Sequence, residues 1–471
     1  MIMFRGLSAS VVFLASFLAS FTYGAPVVSV ADDDSGPQPQ WRLVAREELG
    51  EVWNGATVGF KFLPRPDAVY VGFYAGDHSM TIGRRAYDAE FWEFKTLPSK
   101  VGWDSHNYVE MRFDRDDILH VSGNMHASPL NYFRASKPND ISTLERVDGM
   151  TGANEGRTTY PQFLNDREGR LLFTYRDGQS GNGSQIWNVY DESTKTWSRL
   201  LDRPLFDGKG EMNAYFVGPT TGPDGYFHIA WVWRDTPDCA TNHDLSYARS
   251  RDLVHWEKST GEALELPITL ETGEIVAAIP AGGGLLNPLV RLTFDQSGRP
   301  TLAYTKYDDS GNLQIWVARL EAEGWRYAQV TNWELPWHFS GGGSIVTELT
   351  FGGVSVASPT TLALSWNRVS EHKRGVLYLD ATTLEPTPAP SSPASTLAAP
   401  RPEYSASAAS DLRRVESEDA RLTARSATIT PKGERWVFRW ESPEANRDRP
   451  LPDGAPAPTT LRVFRFERQG E

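Results

Sequence analysis

Short runs of alternating hydrophobic and polar residues recur along the chain, and turn residues separate them. The clearest copies are 163–175 and 292–304, in each of which two runs flank an Asp-x-x-Gly turn. Each copy continues into a third run that contains Gln-Ile-Trp, at 185–187 and 314–316, before a further tryptophan. Alternation with a period of two, broken by turn residues, predicts strands that pair as antiparallel hairpins.

The same template fits five further stretches, three of them more weakly. They are 111–120, 217–231 with Trp256, 58–74 with Trp92, 346–366, and 436–440 with 461–466. Four-stranded antiparallel units at a spacing of about 50 to 70 residues are typical of a β-propeller. The pattern therefore predicts an all-β chain that forms a seven-bladed β-propeller of four-stranded antiparallel blades, with six or eight blades as alternatives.

The repeats indicate a single propeller domain over residues 25–471, in which the last strands close the ring. A stretch rich in Thr, Pro, Ala and Ser, at about 386–410, predicts a surface insertion. Residues 1–24 combine Arg5, an apolar run over 7–21 and small residues near the end, which predicts a secretory signal peptide. The alternative is a membrane anchor, but the apolar run is short for a span. We expect a secreted protein, extracellular or periplasmic, with no membrane span in the mature chain.

Composition narrows the classes of partner. The 471 residues carry a net charge of −13, which argues against nucleic acid because a protein that binds its backbone needs a basic face. A local ring of cations at one mouth of the propeller could still hold a polyanion, and Arg176, Arg234, Lys306 and Arg368 are the candidates. The single cysteine excludes an intrachain disulfide, so the fold depends on its core. The expected assembly is a monomer.

Antiparallel pairing places the start of the first strand and the end of the second strand of a blade on one face of the ring. Four residues at these positions lie in adjacent units, and their joint occurrence favours a functional site: His106, His126, Tyr160 and Arg176. The alternative for any one of them is a packing tyrosine or a solvated arginine. Further candidates for substrate binding near the same mouth are Asn107, Asn124, Tyr215, Trp233, Arg234 and His338.

These residue types fit proton abstraction next to a carboxylate. The C5 proton of a uronic acid becomes acidic when arginine offsets the charge of its carboxylate. A base then takes the proton while an acid protonates the departing O4, which is β-elimination. The candidate positions carry no paired carboxylates of the glycosidase type, and the chain has no Gly-x-Ser-x-Gly or His-Glu-x-x-His motif.

Several segments resemble the BNR-repeat-containing family, which includes seven-bladed ulvan lyases. They are 106–114, 120–126, 129–134, 159–161, 175–176 and 241–250. The resemblance implies a secreted polysaccharide lyase that cleaves ulvan, an anionic polymer of sulfated rhamnose and uronic acid, at the uronate C4–O4 bond and leaves an unsaturated end. It implies that His106 and Tyr160 are the acid and base, with His126 and Arg176 near the carboxylate. Which of His106 and Tyr160 removes the proton stays open.

Two alternatives to the lyase remain at this point. One is a glycoside hydrolase of the same family that releases terminal rhamnose, and the other is a propeller that only binds carbohydrate. The chain also offers a candidate metal set, because Cys239 and His243 lie in the loop after a strand that contains His228. One cysteine and two histidines make a partial zinc set, and the resemblance supports a structural Zn²⁺ here. The alternative is a buried free thiol. No organic cofactor is expected.

Overall fold

The computed structural model describes residues 40–390, 403–404, 412 and 414–468. The predicted signal peptide and most of the 386–410 segment lie outside these residues. Within them, nearly all regular structure is strand, which confirms the all-β prediction. No helix in this part of the chain is long and apolar enough to cross a membrane. Short 3-10 helices occupy Ile141–Thr143, Cys239–Thr241, Asn287–Leu289 and Pro431–Gly433.

The strands of the described residues form seven sheets, which we number in chain order. Strand β1 (Gln40–Val52) belongs to the last of them. Sheet 1 contains β2 (Lys61–Pro64), β3 (Ala68–Tyr74), β4 (Ser79–Ala86) and β5 (Glu93–Lys100). Sheet 2 contains β6 (Val109–Phe113), β7 (Leu119–Gly123), β8 (Tyr132–Arg134) and β9 (Glu145–Val147). Sheet 3 contains β10 (Thr158–Asn165), β11 (Leu171–Gln179), β12 (Asn182–Asp191) and β13 (Thr196–Arg199).

The remaining sheets follow the same order with small elaborations. Sheet 4 contains β14 (Asn213–Thr221), β15 (Phe227–Arg234), β16 (Asn242–Ser250), β17 (Trp256–Glu257), β18 (Ala263–Leu264) and β19 (Glu274–Ala277). Sheet 5 contains β20 (Arg291–Phe294), β21 (Pro300–Tyr307), β22 (Leu313–Glu321) and β23 (Gly324–Gln329). Sheet 6 contains β24 (Leu349–Phe351), β25 (Ser355–Ser358), β26 (Thr361–Arg368), β27 (Lys373–Asp380) and β28 (Pro386–Thr387). Sheet 7 adds β29 (Glu403–Tyr404), β30 (Leu422–Ile429), β31 (Arg435–Pro443) and β32 (Thr459–Arg468) to β1.

The aspartates of the repeated turn explain why each hairpin forms where it does. The Oδ1 atom of Asp114 accepts hydrogen bonds from the backbone N–H groups of Asp116 and Ile118. Asp295 does the same for Ser297 and Arg299 in sheet 5. A side chain that bonds its own following backbone favours a tight turn over a continued strand. The first aspartate of the turn therefore favours a tight turn at each of these two hairpins, with the glycine of Asp-x-x-Gly at 295–298 and without it at 114–117.

Neighbouring sheets contact one another largely through their first strands. Strand β2 contacts β6, β6 contacts β10, β14 contacts β20, and β2 also contacts β30 of sheet 7. First strands that lie side by side are typical of a β-propeller. The second strands are sandwiched between sheets, and β3 and β15 are buried along their whole length.

The two ends of the described chain meet in sheet 7. Strand β1 pairs antiparallel with β32, from Trp41 opposite Arg468 to Val52 opposite Thr459. It also pairs in parallel with β29. Within the segment predicted at 386–410, the described residues Pro386–Thr387 of β28 pair with β27. The pairing of β1 with β32 therefore joins residues from opposite ends of the described chain in sheet 7, which contacts sheet 1.

Candidate active site

Strand pairing brings the ends of three hairpins to one region of the molecule. Thr159 at the start of β10 lies opposite Arg176 near the end of β11, and Asn213 at the start of β14 lies opposite Arg234 at the end of β15. In sheet 2, Val109 pairs with Gly123, so the loop before β6 lies beside the loop after β7. The structure thus brings together the side chains that the sequence predicted to converge: His106, His126, Tyr160, Arg176, Tyr215 and Arg234.

A single carboxylate holds the two histidines of the site. One oxygen of Asp104 lies 2.7 Å from Nδ1 of His106, and the other lies 2.5 Å from Nδ1 of His126. The two imidazole rings stack with their centroids 4.3 Å apart. Because each Nδ1 donates to Asp104, each Nε2 is left available for a ligand. Asp104 is therefore a site residue that the sequence analysis missed.

Asp448 is a second carboxylate on the same ring. Its Oδ2 atom lies 3.2 Å from Nδ1 of His106. Burial of the imidazole lowers the pKa of His106, but the hydrogen bonds to Asp104 and Asp448 outweigh burial and raise that pKa to about 9. Although burial disfavours their charged forms, the hydrogen bonds from the histidines hold the pKa of both carboxyl groups well below the usual range. His106 is consequently an imidazolium at neutral pH.

Tyr160 projects from an irregularity in β10. The pairing of β10 with β11 shifts register between Thr159 and Gln162, and the φ angle of Tyr160 is 54°. Such a backbone costs a non-glycine residue about 1–3 kcal/mol, and a bulge of this kind turns a side chain away from its regular direction. The ring of Tyr160 lies 5.6 Å from that of His106 and 6.2 Å from that of His126. The bulge thus places a phenol beside the histidine pair.

Arg176 lies on the other side of Tyr160 and is only 2% exposed. Its guanidinium carbon is 4.9 Å from the ring centroid of Tyr160 and 5.4 Å from that of Tyr215. Within the described residues, none of its three guanidinium nitrogens makes a hydrogen bond of ordinary geometry, although the Tyr215 hydroxyl is close enough to interact with them. A buried charge with unused donors has a strong tendency to bind an anion.

Tyr215 carries a strongly perturbed phenol at the site. Its hydroxyl lies 2.7 Å from Oγ of Ser180 and accepts a hydrogen bond of 3.2 Å from Arg234. Burial raises the pKa of Tyr215, but the charges of Arg234 and Arg176 outweigh burial and lower that pKa to about 7. Two further bonds fix Arg234, because it donates to Asn242 at 2.7 Å and to Asn287 at 2.6 Å. Tyr215 is therefore partly a phenolate at neutral pH and acts as a counter-ion to the two arginines.

The other predicted binding residues lie at different distances from this cluster. Asn124 donates to Oγ of Ser99 and to the carbonyl of Lys100, which commits its amide to sheet 1. Asn107 follows His106 directly, and its buried Oδ1 has no hydrogen-bond partner within the described residues. His338 is exposed and packs against Tyr307, with a ring centroid distance of 5.0 Å.

The prediction that Trp233 borders the cleft is wrong. Its side chain is 1% exposed and packs in the apolar core that sheets 3 and 4 share. Neighbouring residues of a strand point to opposite faces, so the strand that presents Arg234 to the site turns Trp233 into the core. Of the other two predicted cations, Arg368 pairs with Glu371, and Lys306 lies over the ring of Trp316.

The structure does not assemble the predicted zinc ligands His228, Cys239 and His243. His228 pairs with Arg249, whereas His243 pairs with Trp233, five residues further along β15. That separation is about 16 Å along the strand, far beyond a shared metal. Both ring nitrogens of His228 are also engaged, with the Tyr247 hydroxyl at 2.6 Å and Asp224 at 3.0 Å. His228, Cys239 and His243 therefore do not form a shared metal site, contrary to the prediction.

The rest of the predicted set is no better suited to zinc. His243 bonds Asp235 and Asp244, each at 2.9 Å. Burial raises the pKa of the Cys239 thiol, whereas zinc binds the thiolate. Within the described residues, the one group of three ligand-type side chains within 4.8 Å is Asp104, His106 and His126. Since Asp104 accepts a hydrogen bond from each ring, we interpret this group as a hydrogen-bonded cluster.

Chelation is expected to leave the melting temperature of the protein unchanged, because His228 is held by hydrogen bonds. His120 has the same arrangement in sheet 2, with Tyr132 at 2.7 Å and Asp114 at 3.2 Å. We expect His120→Ala and His228→Ala each to lower the melting temperature, with or without EDTA, since each change removes the bond to a buried tyrosine hydroxyl. Calorimetry with a metal assay measures both effects. Bound zinc whose removal lowers the melting temperature would contradict the correction.

Known proteins similar to this chain are ulvan lyases over short stretches. The long isoform of ulvan lyase from Glaciecola sp. (strain KUL10) is 32% identical over 107 residues, which is 23% of this chain and 10% of that protein. The short isoform from Alteromonas sp. (strain LOR) is 27% identical over 128 residues, which is 24% of each chain. The chain thus matches a quarter or less of the length of these relatives.

Solved structures match over far more of the chain, at low identity. The polysaccharide lyase Uly1 superposes with a TM-score of 0.54 and 14% identity, covering 91% of this chain and 100% of that one. A PL25 ulvan lyase superposes with a TM-score of 0.53 and 14% identity, covering 83% and 92%. These structures establish a shared fold. A family model described as BNR repeat-containing family member matches residues 68–333, which is more than half of the chain. The chain therefore belongs to the BNR repeat-containing family.

Proposed function

We propose that the protein is a secreted polysaccharide lyase that cleaves ulvan by β-elimination at the C4–O4 bond of a uronate. The observation that carries this proposal is the position of Tyr160, between the stacked pair His106 and His126 and the buried charge of Arg176. Similarity to ulvan lyases supports the choice of polymer. We also propose that the seven sheets are the blades of a seven-bladed propeller and that the protein acts as a monomer.

The first requirement of the reaction is to offset the charge of the uronate carboxylate. Arg176 offers a planar guanidinium with unused donors, which matches a carboxylate in two parallel hydrogen bonds. The imidazolium of His106 adds a second positive charge close to Tyr160. These charges stabilise the enolate-like transition state that forms when C5 loses its proton.

The second requirement is a base for the C5 proton. His106 is unsuited to this role because it is already protonated at neutral pH, with a pKa of about 9. We propose that the phenolate oxygen of Tyr160 takes this proton and becomes a hydroxyl, with the neighbouring cations Arg176 and His106 stabilising the phenolate beforehand. The C5–H electron pair becomes the C4–C5 double bond as the C4–O4 bond breaks, and His106 or the protonated Tyr160 returns a proton to O4. This elimination consumes no water.

Tyr215 is the second candidate for the base, because its pKa of about 7 gives it phenolate at working pH. Its hydroxyl, however, already bonds Ser180 and Arg234. We therefore assign Tyr215 a supporting role, in which it balances the charge of the two arginines and keeps Arg176 in place.

Absorbance of the product tests the proposal. Incubation with ulvan should raise ultraviolet absorbance, because elimination leaves a double bond conjugated with the carboxylate. Ulvan whose carboxyl groups have been reduced to alcohols should give no rise, since its C5 proton is no longer acidic. New reducing ends without absorbance would instead indicate a hydrolase, and binding without cleavage would indicate a carbohydrate-binding propeller. Either result would overturn the lyase.

A further inference from the structure

The loop between β31 and β32 reaches the histidine pair from the far end of the chain. Asp448 in this loop accepts hydrogen bonds from the backbone N–H of Ser105, at 3.1 Å, and from its hydroxyl, at 2.6 Å. Its other oxygen accepts from the backbone N–H of Ser344 at 2.8 Å and lies 3.2 Å from Nδ1 of His106. One carboxylate thus joins sheet 7, the loop before β6 and the loop before β24.

We propose that Asp448 is a positioning residue that orients His106 and keeps the proton on its Nδ1, an inference that rests on the proposed lyase function. Asp104 alone is poorly placed to do this, because it is shared. Its Oδ1 also accepts the backbone N–H of His106 at 2.9 Å, and its Oδ2 serves His126. The second carboxylate gives His106 a partner that His126 does not have.

The charged and titratable groups that face His106 come from three directions. Asp104 and Asp448 approach Nδ1, His126 stacks on the ring, and Tyr160 lies against its edge. Of the two carboxylates, Asp448 is the one that bonds His106 without also bonding His126. Removal of the Asp448 carboxylate should therefore weaken both the orientation of the His106 ring and its hold on the Nδ1 proton.

The glycine-rich loop 340–344 is built to hold Asp448 in place. The backbone N–H of Arg447 donates to the carbonyl of Ser344 at 3.0 Å, and its guanidinium donates to the carbonyl of Ser340 at 2.6 Å. A Cβ atom at Gly343, whose φ is +72°, would lie 2.5 Å from the carbonyl oxygen of Arg447. Only glycine permits this approach, so the loop can clamp the residue next to Asp448.

Asp448→Asn tests the inference, because asparagine keeps the shape and removes the charge. An imidazolium acid loses activity as pH rises through its pKa, so the upper limb of the pH profile of kcat/KM reports on His106. We expect that limb to move down by about one pH unit and kcat at neutral pH to fall about 10-fold or more. Asp453→Asn, an exposed change in the same loop, should leave the profile unchanged.

A nuclear magnetic resonance titration of the histidine ring protons separates this inference from the lyase proposal. The pKa of His106 should fall in Asp448→Asn even if the wild-type protein fails to cleave ulvan. Should the asparagine variant not fold, Ser105→Ala removes the 2.6 Å bond to Asp448 and should move the pKa in the same direction by less. An unchanged His106 pKa and an unchanged upper limb in a folded variant would overturn the inference.

Discussion

Tyr160→Phe is expected to lower kcat on ulvan about 1000-fold, which is within the range for loss of a positioned acid or base. The substitution removes the one oxygen that we assign to proton transfer. It keeps the ring that packs against His106 and under the Arg176 guanidinium. KM should therefore change little. Initial rates of ultraviolet absorbance, measured over a range of ulvan concentrations, separate kcat from KM.

Tyr226→Phe is the matched control. Tyr226 also lies against two arginines, with Arg249 at 4.4 Å and Arg251 at 4.1 Å from its ring centroid. It precedes β15, whereas Arg234 ends that strand, so Tyr226 is at the opposite end of the hairpin from the site. The control should keep wild-type activity. A Tyr160→Phe protein that retains a tenth or more of the wild-type kcat would refute the assignment and direct attention to the Tyr215 phenolate.

Local chemistry is what made the fold predictable from the sequence. The turn aspartates Asp114 and Asp295 bond backbone groups two to four residues ahead, so a sequence pattern contains the whole interaction. Antiparallel pairing is nearly as local. Antiparallel pairing led to the prediction that the loops around β6, β7, β10 and β11 would meet, because each hairpin brings its own ends together.

The role of Asp448, which sequence analysis missed, depends on a distant contact. Asp448 is separated from Ser105 by 343 positions, and no pattern near either residue indicates the other. Trp233 could have been placed correctly, since it alternates with Arg234 along one strand. His228 could also have been recognised, because it is the second residue of β15 just as His120 is the second residue of β7. Both positions bond a turn aspartate and a tyrosine.

Arg176→Met is expected to lower kcat/KM on ulvan by about 100- to 1000-fold, as for other losses of a group that stabilises developing charge. Methionine fills the buried space without a charge, so the uronate carboxylate loses its planar partner. The same change removes one of the two cations that lower the pKa of Tyr215, so that pKa should rise above about 7. Kinetics measure the first effect, and tyrosinate absorbance as a function of pH measures the second.

Arg176→Lys separates charge from geometry. Lysine keeps the positive charge but not the planar pair of donors, so it should hold the pKa of Tyr215 near 7 while turnover still falls.

The direction of the pKa shift of Tyr215 also determines how the stability of the protein changes with pH. Tyr215 ionises more readily in the folded protein than at its unfolded pKa of about 10, so its contribution to stability grows as pH rises from about 7 to 10. Arg176→Met should lose part of that gain, and Arg176→Lys should keep it. If Arg176→Met raised the pKa of Tyr215 but left kcat/KM unchanged, the carboxylate would have to bind elsewhere, and the role assigned to Arg176 would fail.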